Sequence, residues 1–173
     1  MDLDFISHLP ENFPSTSRVW IYQADRLFLI SEALDMEDMF TDFVASWNSH
    51  GTPVKGYANL FFGRFIVIMA DETATGVSGC STDSSVHLIK AIEKKYNVNM
   101  FNRQLIAFIV KDKIEQIPLG QAAYALENNM ITPTTLYFNN TVLSRGEMES
   151  NWIIPASQGW LGKMLNLTSA PAS

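Results

Sequence analysis

The run FIVIMA at residues 65–70 sets six apolar side chains at consecutive positions. Successive side chains of a strand point to opposite faces, so a strand of this composition is apolar on both sides and must be covered on both. The same holds for RVWIYQA (18–24), where Val19 and Ile21 alternate with Trp20 and Tyr22. It holds again for RQLIAFIV (103–110), where Leu105 alternates with Ile106 and Phe108. A sheet built on these strands cannot leave a face to solvent. With 173 residues and 47% apolar content, the chain is long enough to supply both covers. None of these runs approaches the length needed to span a bilayer.

The segments between the runs read as helices. After Ser31, a candidate N-cap, Met36, Met39, Phe40, Phe43, Val44 and Trp47 recur at three- and four-residue steps up to NSHG (48–51). VKGYANLFFG and RFIVIMADE follow as two strands joined tightly at Gly63-Arg64. In SSVHLIKAIEKKYN, Ser85, Leu88, Ile89, Ile92 and Tyr96 share one helical face, and Asp83, His87, Lys90 and Lys94 share the opposite one. RQLIAFIVKDKIEQI reads as a fourth strand. The order strand, helix, strand, strand, helix, strand is that of a ferredoxin-like βαββαβ core, an α+β fold with both helices on one face of a four-stranded sheet. The expected layout is a lead over 1–17, this core over 18–117, an α/β extension of the same domain over 118–165, and a frayed tail over 166–173. The extension, with Trp152, Trp160, Leu161, Met164 and Leu165, is expected to cover the second sheet face. A second subunit, making a homodimer, is the competing cover.

The net charge of −6 is spread along the chain, a field that repels nucleic acid and anionic membrane surfaces, so neither is an expected partner. The opening MDLDFISHLPENFP is acidic and broken by Pro10 and Pro14, unlike a secretory leader. The single cysteine has no partner within the chain, and a cytoplasmic setting is expected. His8, His50 and His87 with one cysteine do not form a zinc spacing. Asp35, Glu37, Asp38 and Asp42 lie on the solvated side of a helix without a calcium-loop glycine. No metal and no cofactor is expected.

GVSGCSTDSS (76–85) sets two glycines, five hydroxyl side chains and the cysteine just before the second helix. In one reading Ser81, Thr82 or Asp83 caps that helix. In a second, Gly76, Gly79, Ser81, Thr82, Ser84 and Ser85 cradle a small anion at the helix N-terminus, with positive charge from Arg64, Arg103 or Arg145. In a third, Cys80 is a nucleophile made acidic by the helix dipole, with His87 oriented by Asp83 four residues earlier. The expectation is a noncatalytic module that binds a small anionic ligand or a partner at the Gly76–Ser85 loop. A cysteine-dependent enzyme using Cys80 and a structural homo-oligomer are the alternatives.

RVWIYQADR, SGCSTDSS, EKKYNV, ITPTTLYFNN and the Trp-bearing tail resemble a family of small uncharacterised proteins of Bacteroidetes, with SGCSTDSS the most specific element. The resemblance runs from about Arg18 to Leu165. Members are often labelled ABC transporter ATPases, and the residues here argue against that activity. Such an ATPase needs G-x-x-x-x-G-K-[ST], whose amides cradle the phosphates and whose lysine reaches the β and γ positions. GWLGKM (159–164) has the Gly-Lys pair but lacks the first glycine at its spacing and the metal-binding hydroxyl.

Overall fold

The computed structural model describes residues 1–77 and 79–167, the side chains of Cys80 and Ser81 excepted. In chain order the elements are a short 3-10 turn (Ile6–His8), β1 (Arg18–Gln23), α1 (Ile30–Ser46), β2 (Asn48–Ser49), β3 (Thr52–Pro53), β4 (Lys55–Phe61), β5 (Phe65–Asp71), α2 (Gly79–Tyr96), β6 (Leu105–Val110), β7 (Lys113–Pro118), a second 3-10 turn (Leu119–Gln121), α3 (Ala122–Glu127), β8 (Leu136–Phe138), α4 (Arg145–Asn151), β9 (Ile153–Pro155) and α5 (Gly159–Met164). The fold is α+β, and no helix among the described residues is long and apolar enough to cross a membrane. The chain divides into two compact units, one of Asp4–Asn102 and Asn140–Glu149, the other of Met1–Leu3, Arg103–Asn139 and Ser150–Ser173.

The first unit is organised by β5, whose seven residues are all buried. It pairs antiparallel with β1 on one side and β4 on the other, giving the order β1-β5-β4. The β4–β5 turn carries positive φ at both Phe62 and Gly63, the twist that joins two strands tightly. Even-numbered residues of the sheet, Ile66, Ile68 and Ala70 with Trp20, Tyr22, Ala58 and Leu60, form one core with Met36 and Phe40 of α1 and Ile89 and Ile92 of α2. Both helices therefore cover the same face. On the other face, Phe13 from the N-terminal lead meets Tyr57 edge-on at 6.4 Å, and Phe5 and Leu9 are buried as well.

α1 begins two residues earlier than its sequence suggests, with Leu29 in place of Ser31 as the N-cap residue. Ile30 is its first residue, so Ser31 lies inside the first turn and Glu32 does the capping. The Glu32 carboxylate accepts the Leu29 N–H at 2.8 Å and is held by both terminal nitrogens of Arg26, each at 2.8 Å. Arg26 also donates to the Tyr96 carbonyl at the end of α2, which ties the two helices together.

The fourth strand departs from the ferredoxin-like expectation. β6 pairs with β7 and β8 in a separate sheet of order β7-β6-β8-β9, and the outer edge of β1 is taken by the returning segment at Leu143–Arg145. There the Val19 N–H donates to Leu143 and the Arg145 N–H to Ser17, at 3.0 and 2.8 Å. The physical reason is local. The segment expected to be one strand is a hairpin whose two central residues, Lys111 and Asp112, both have positive φ. β6 thus finds its first partner only two residues downstream.

The second unit packs Ile106 and Phe108 of β6, Tyr137 of β8 and Ile154 of β9 against Ala125 of α3 and Leu161 of α5. Two glycines permit close approach. Gly159 has φ +64°, and a Cβ on Gly162 would lie 2.2 Å from the Ser157 carbonyl oxygen. Burial pushes the Tyr137 phenol up to about 12.

Candidate functional site

The sequence directs attention first to the entrance of α2. Its first helical residue is Gly79, so Thr82 and Asp83 lie within the helix and cannot be its N-cap, while residue 78 and the side chains of Cys80 and Ser81 lie outside the described residues. Gly76 and Gly79 have no left-handed φ, and a Cβ on either would meet nothing within 4 Å. Ser85 is fully buried, and its hydroxyl donates to the Thr82 carbonyl at 2.7 Å, which makes it a packing residue of the helix face. Thr82 is half-buried. Ser84, Asp83 and His87 are exposed, the last two on the same solvated stripe as Lys90 and Lys94.

The charges around this entrance are mixed. The amide of Val77 donates to Glu72 at 2.9 Å, and Glu72 lies 3.8 Å from Arg18. Asp71, at the end of β5, accepts from the Thr73 hydroxyl at 2.7 Å, from Lys55 at 2.9 Å and from the Thr73 amide at 3.0 Å. Together these hold its carboxyl down to about 2. A carboxylate thus already takes an amide that an anion would need.

Neither Arg64 nor Arg145, the two of the three arginines that lie in the first unit, supplies charge to this entrance. Arg64 is buried at the β4–β5 turn, where it reaches the Ala24 carbonyl at 3.4 Å. The chain leaves β5 for α2 at the opposite end of that strand, roughly 20 Å away at the usual rise per residue. Arg145 is clamped between Glu149, at 2.8 Å, and the Phe13 carbonyl. Arg103 is exposed ahead of β6 in the second unit. Among the described residues there is no group of three or more His, Cys, Asp or Glu side chains that could hold a metal ion.

A second site was not anticipated from the sequence. An open groove of about 510 Å³ runs between α1 and β4, walled by Glu37, Phe40, Thr41, Val44 and Ala45 and floored by Gly56, Tyr57, Ala58 and Asn59. That volume falls within the roughly 300–1,000 Å³ of typical ligand sites. Gly56 has a packing role, since a Cβ there would lie 2.6 Å from the Trp47 ring. Trp47 in turn packs on Phe43 at 4.9 Å and Trp20 at 6.1 Å, which fixes the end of α1 over the sheet.

The groove follows the outer edge of β4, with which no strand among the described residues pairs. Which backbone groups face outward follows from the alternation of an antiparallel ladder. The Phe61 carbonyl accepts from Arg64 across the turn, so odd residues face β5. The Val54 amide goes to Trp47, and the Leu60 amide goes to the Asn59 side chain at 2.8 Å, so even residues face away. The N–H and C=O of Gly56 and Ala58 therefore point into the groove. Tyr57 donates to the His8 carbonyl at 2.8 Å and accepts from Asn59 at 3.1 Å, and burial raises its phenol while the Asn59 bond lowers it. One signal for this site was present in the sequence. GYANLF (56–61) carries no charge and no proline, the devices with which exposed edges are normally protected. Comparison with known proteins adds nothing to this geometry, since no family model, no curated protein and no solved structure matches the chain.

Proposed function

We propose that the protein is a noncatalytic binding module and that its binding surface is the groove between α1 and the outer edge of β4. The observation that carries this reading is the coincidence of a concave, partly apolar surface with outward-facing backbone groups at Gly56 and Ala58. Such a site offers shape, apolar contact and directional hydrogen bonds together, which is the usual composition of a recognition site. A cytoplasmic setting belongs to the same proposal and is supported by the single cysteine and the net charge of −6.

Two other readings stay attached to the entrance of α2: an anion site using Gly79, Thr82 and Ser84, and a cysteine-dependent reaction using Cys80 with Asp83 and His87. The mixed charge there and the solvent-facing Asp83 and His87 favour the groove over both. Amide shift mapping on the ¹⁵N-labelled protein, titrated with a fragment library and separately with phosphate, decides among them. Shifts confined to α1 and residues 56–60 support the groove. Shifts at Val77–Ser85 on adding phosphate transfer the function to that loop, and silence at residues 56–60 with every fragment refutes the proposal.

A further inference from the structure

Resting on the groove reading, we infer that the outer edge of β4 is completed by an extended peptide segment of a partner protein, added as a further strand beneath α1 with a basic side chain beside Glu37. The edge presents the donor–acceptor pairs of Gly56 and Ala58 at the two-residue spacing that an incoming strand matches. The strand carries no charge from Gly56 to Phe61 that would repel such a partner. Gly56 and Ala58 of its floor are small, so alternate side chains of the peptide can enter the space walled by Val44 and Ala45.

Charge selects the class of partner. Glu37 stands in the groove wall, and the chain carries a net charge of −6. A second copy pairing edge to edge brings another Glu37, another α1 over the same face and a second net charge of −6. A short neutral or basic segment brings none of these, and its lysine or arginine meets Glu37.

The test uses random dodecapeptides displayed on phage and panned on the full-length protein, with enriched sequences made as labelled synthetic peptides. Fluorescence anisotropy is read for wild type, for Ala58→Pro, which removes the outward N–H, and for Ala45→Arg, which fills the groove from α1. Urea midpoints confirm that both variants fold. Each peptide is also N-methylated one residue at a time. The expected result is a peptide with alternating apolar residues and a Lys or Arg, weakened about tenfold or more by Ala58→Pro and by N-methylation at every second position only. Binding blocked by Ala45→Arg but indifferent to N-methylation overturns strand addition while leaving the groove as the binding surface. Peptides insensitive to Ala45→Arg overturn both, and failure to enrich any peptide overturns the inference. A dimeric mass by light scattering that Ala58→Pro reduces to monomer gives the edge to a second copy and likewise overturns it.

Discussion

Proline substitutions at Ala58 and Asn59 should differ sharply, although the residues are neighbours on one strand. The Asn59 N–H faces β5, where its register partner is Val67, a fully buried residue. Asn59→Pro removes that ladder bond, worth about 0.5–1.5 kcal/mol, and leaves the Val67 carbonyl buried without its donor at a further ~1–3 kcal/mol. The sum, roughly 1.5–4.5 kcal/mol, is a large part of a stability of about 5–15 kcal/mol. The Ala58 N–H faces the groove, so Ala58→Pro loses no ladder bond and its ring extends into open space. Its cost should stay near or below about 1 kcal/mol, as for prolines on strand edges. Urea unfolding followed by the fluorescence of Trp20 and Trp47, whose rings lie 6.1 Å apart in this unit, measures both. Equal costs, or a larger cost at Ala58, would mean that the ladder has the opposite phase, and the groove would then lose its backbone donors and acceptors.

Gly162→Ala should destabilise by about 3 kcal/mol or more, because its Cβ would meet the Ser157 backbone, whereas Gly120→Ala, with nothing within 4 Å, should stay within about 0.5 kcal/mol. Thermal melts of the two variants compare them directly. Gly56→Ala should cost about 1–3 kcal/mol and alter the near-ultraviolet circular dichroism, since Trp47 must give way. Asp71 has its pKa depressed to about 2, so its contribution is complete above the ordinary carboxylate pKa and lost as pH falls from about 4 towards 2. Asp71→Asn should flatten the stability profile in that window, and an unchanged acid limb would refute the role given to Thr73 and Lys55. Millimolar ATP with magnesium should leave the melting temperature unchanged, and a rise of several degrees would show binding without a phosphate loop.

Periodicity made much of the first unit legible. The apolar steps of Met36 and Phe40 and the buried face of Ile89 and Ile92 follow from local spacing, as does a tight turn, expected at Gly63-Arg64 and found one residue earlier at Phe62-Gly63. What escaped was nonlocal or carried no turn signature. Lys111-Asp112 makes a two-residue hairpin without the glycine or asparagine that normally marks one, so β6 and β7 read as a single strand. The pairing of Leu143–Arg145 with β1 depends on residues more than a hundred positions apart, and no window of the sequence contains both. The candidate site divides the same way. Hydroxyl-rich composition marked the entrance of α2, yet Ser85 is spent on packing and Arg64 lies at the far end of β5. The groove exists only because one edge of a sheet is left over once the strand order is set.

The use of Leu143–Arg145 to complete β1 has a consequence for synthesis on the ribosome. When Asn102 has emerged, the three strands β1, β4 and β5 and the two helices α1 and α2 that cover them have been made, but the segment that seals β1 is still roughly 40 residues away. At about 5–20 residues per second that interval lasts roughly 2–8 s, far longer than a small domain needs to collapse. Throughout it the nascent chain carries a strand with an uncovered side, the kind of surface that recruits other chains. A fragment cut at residue 102 freezes this state permanently. A stable version of the first unit therefore needs residues 140–149 supplied as well, by circular permutation or as a separate peptide.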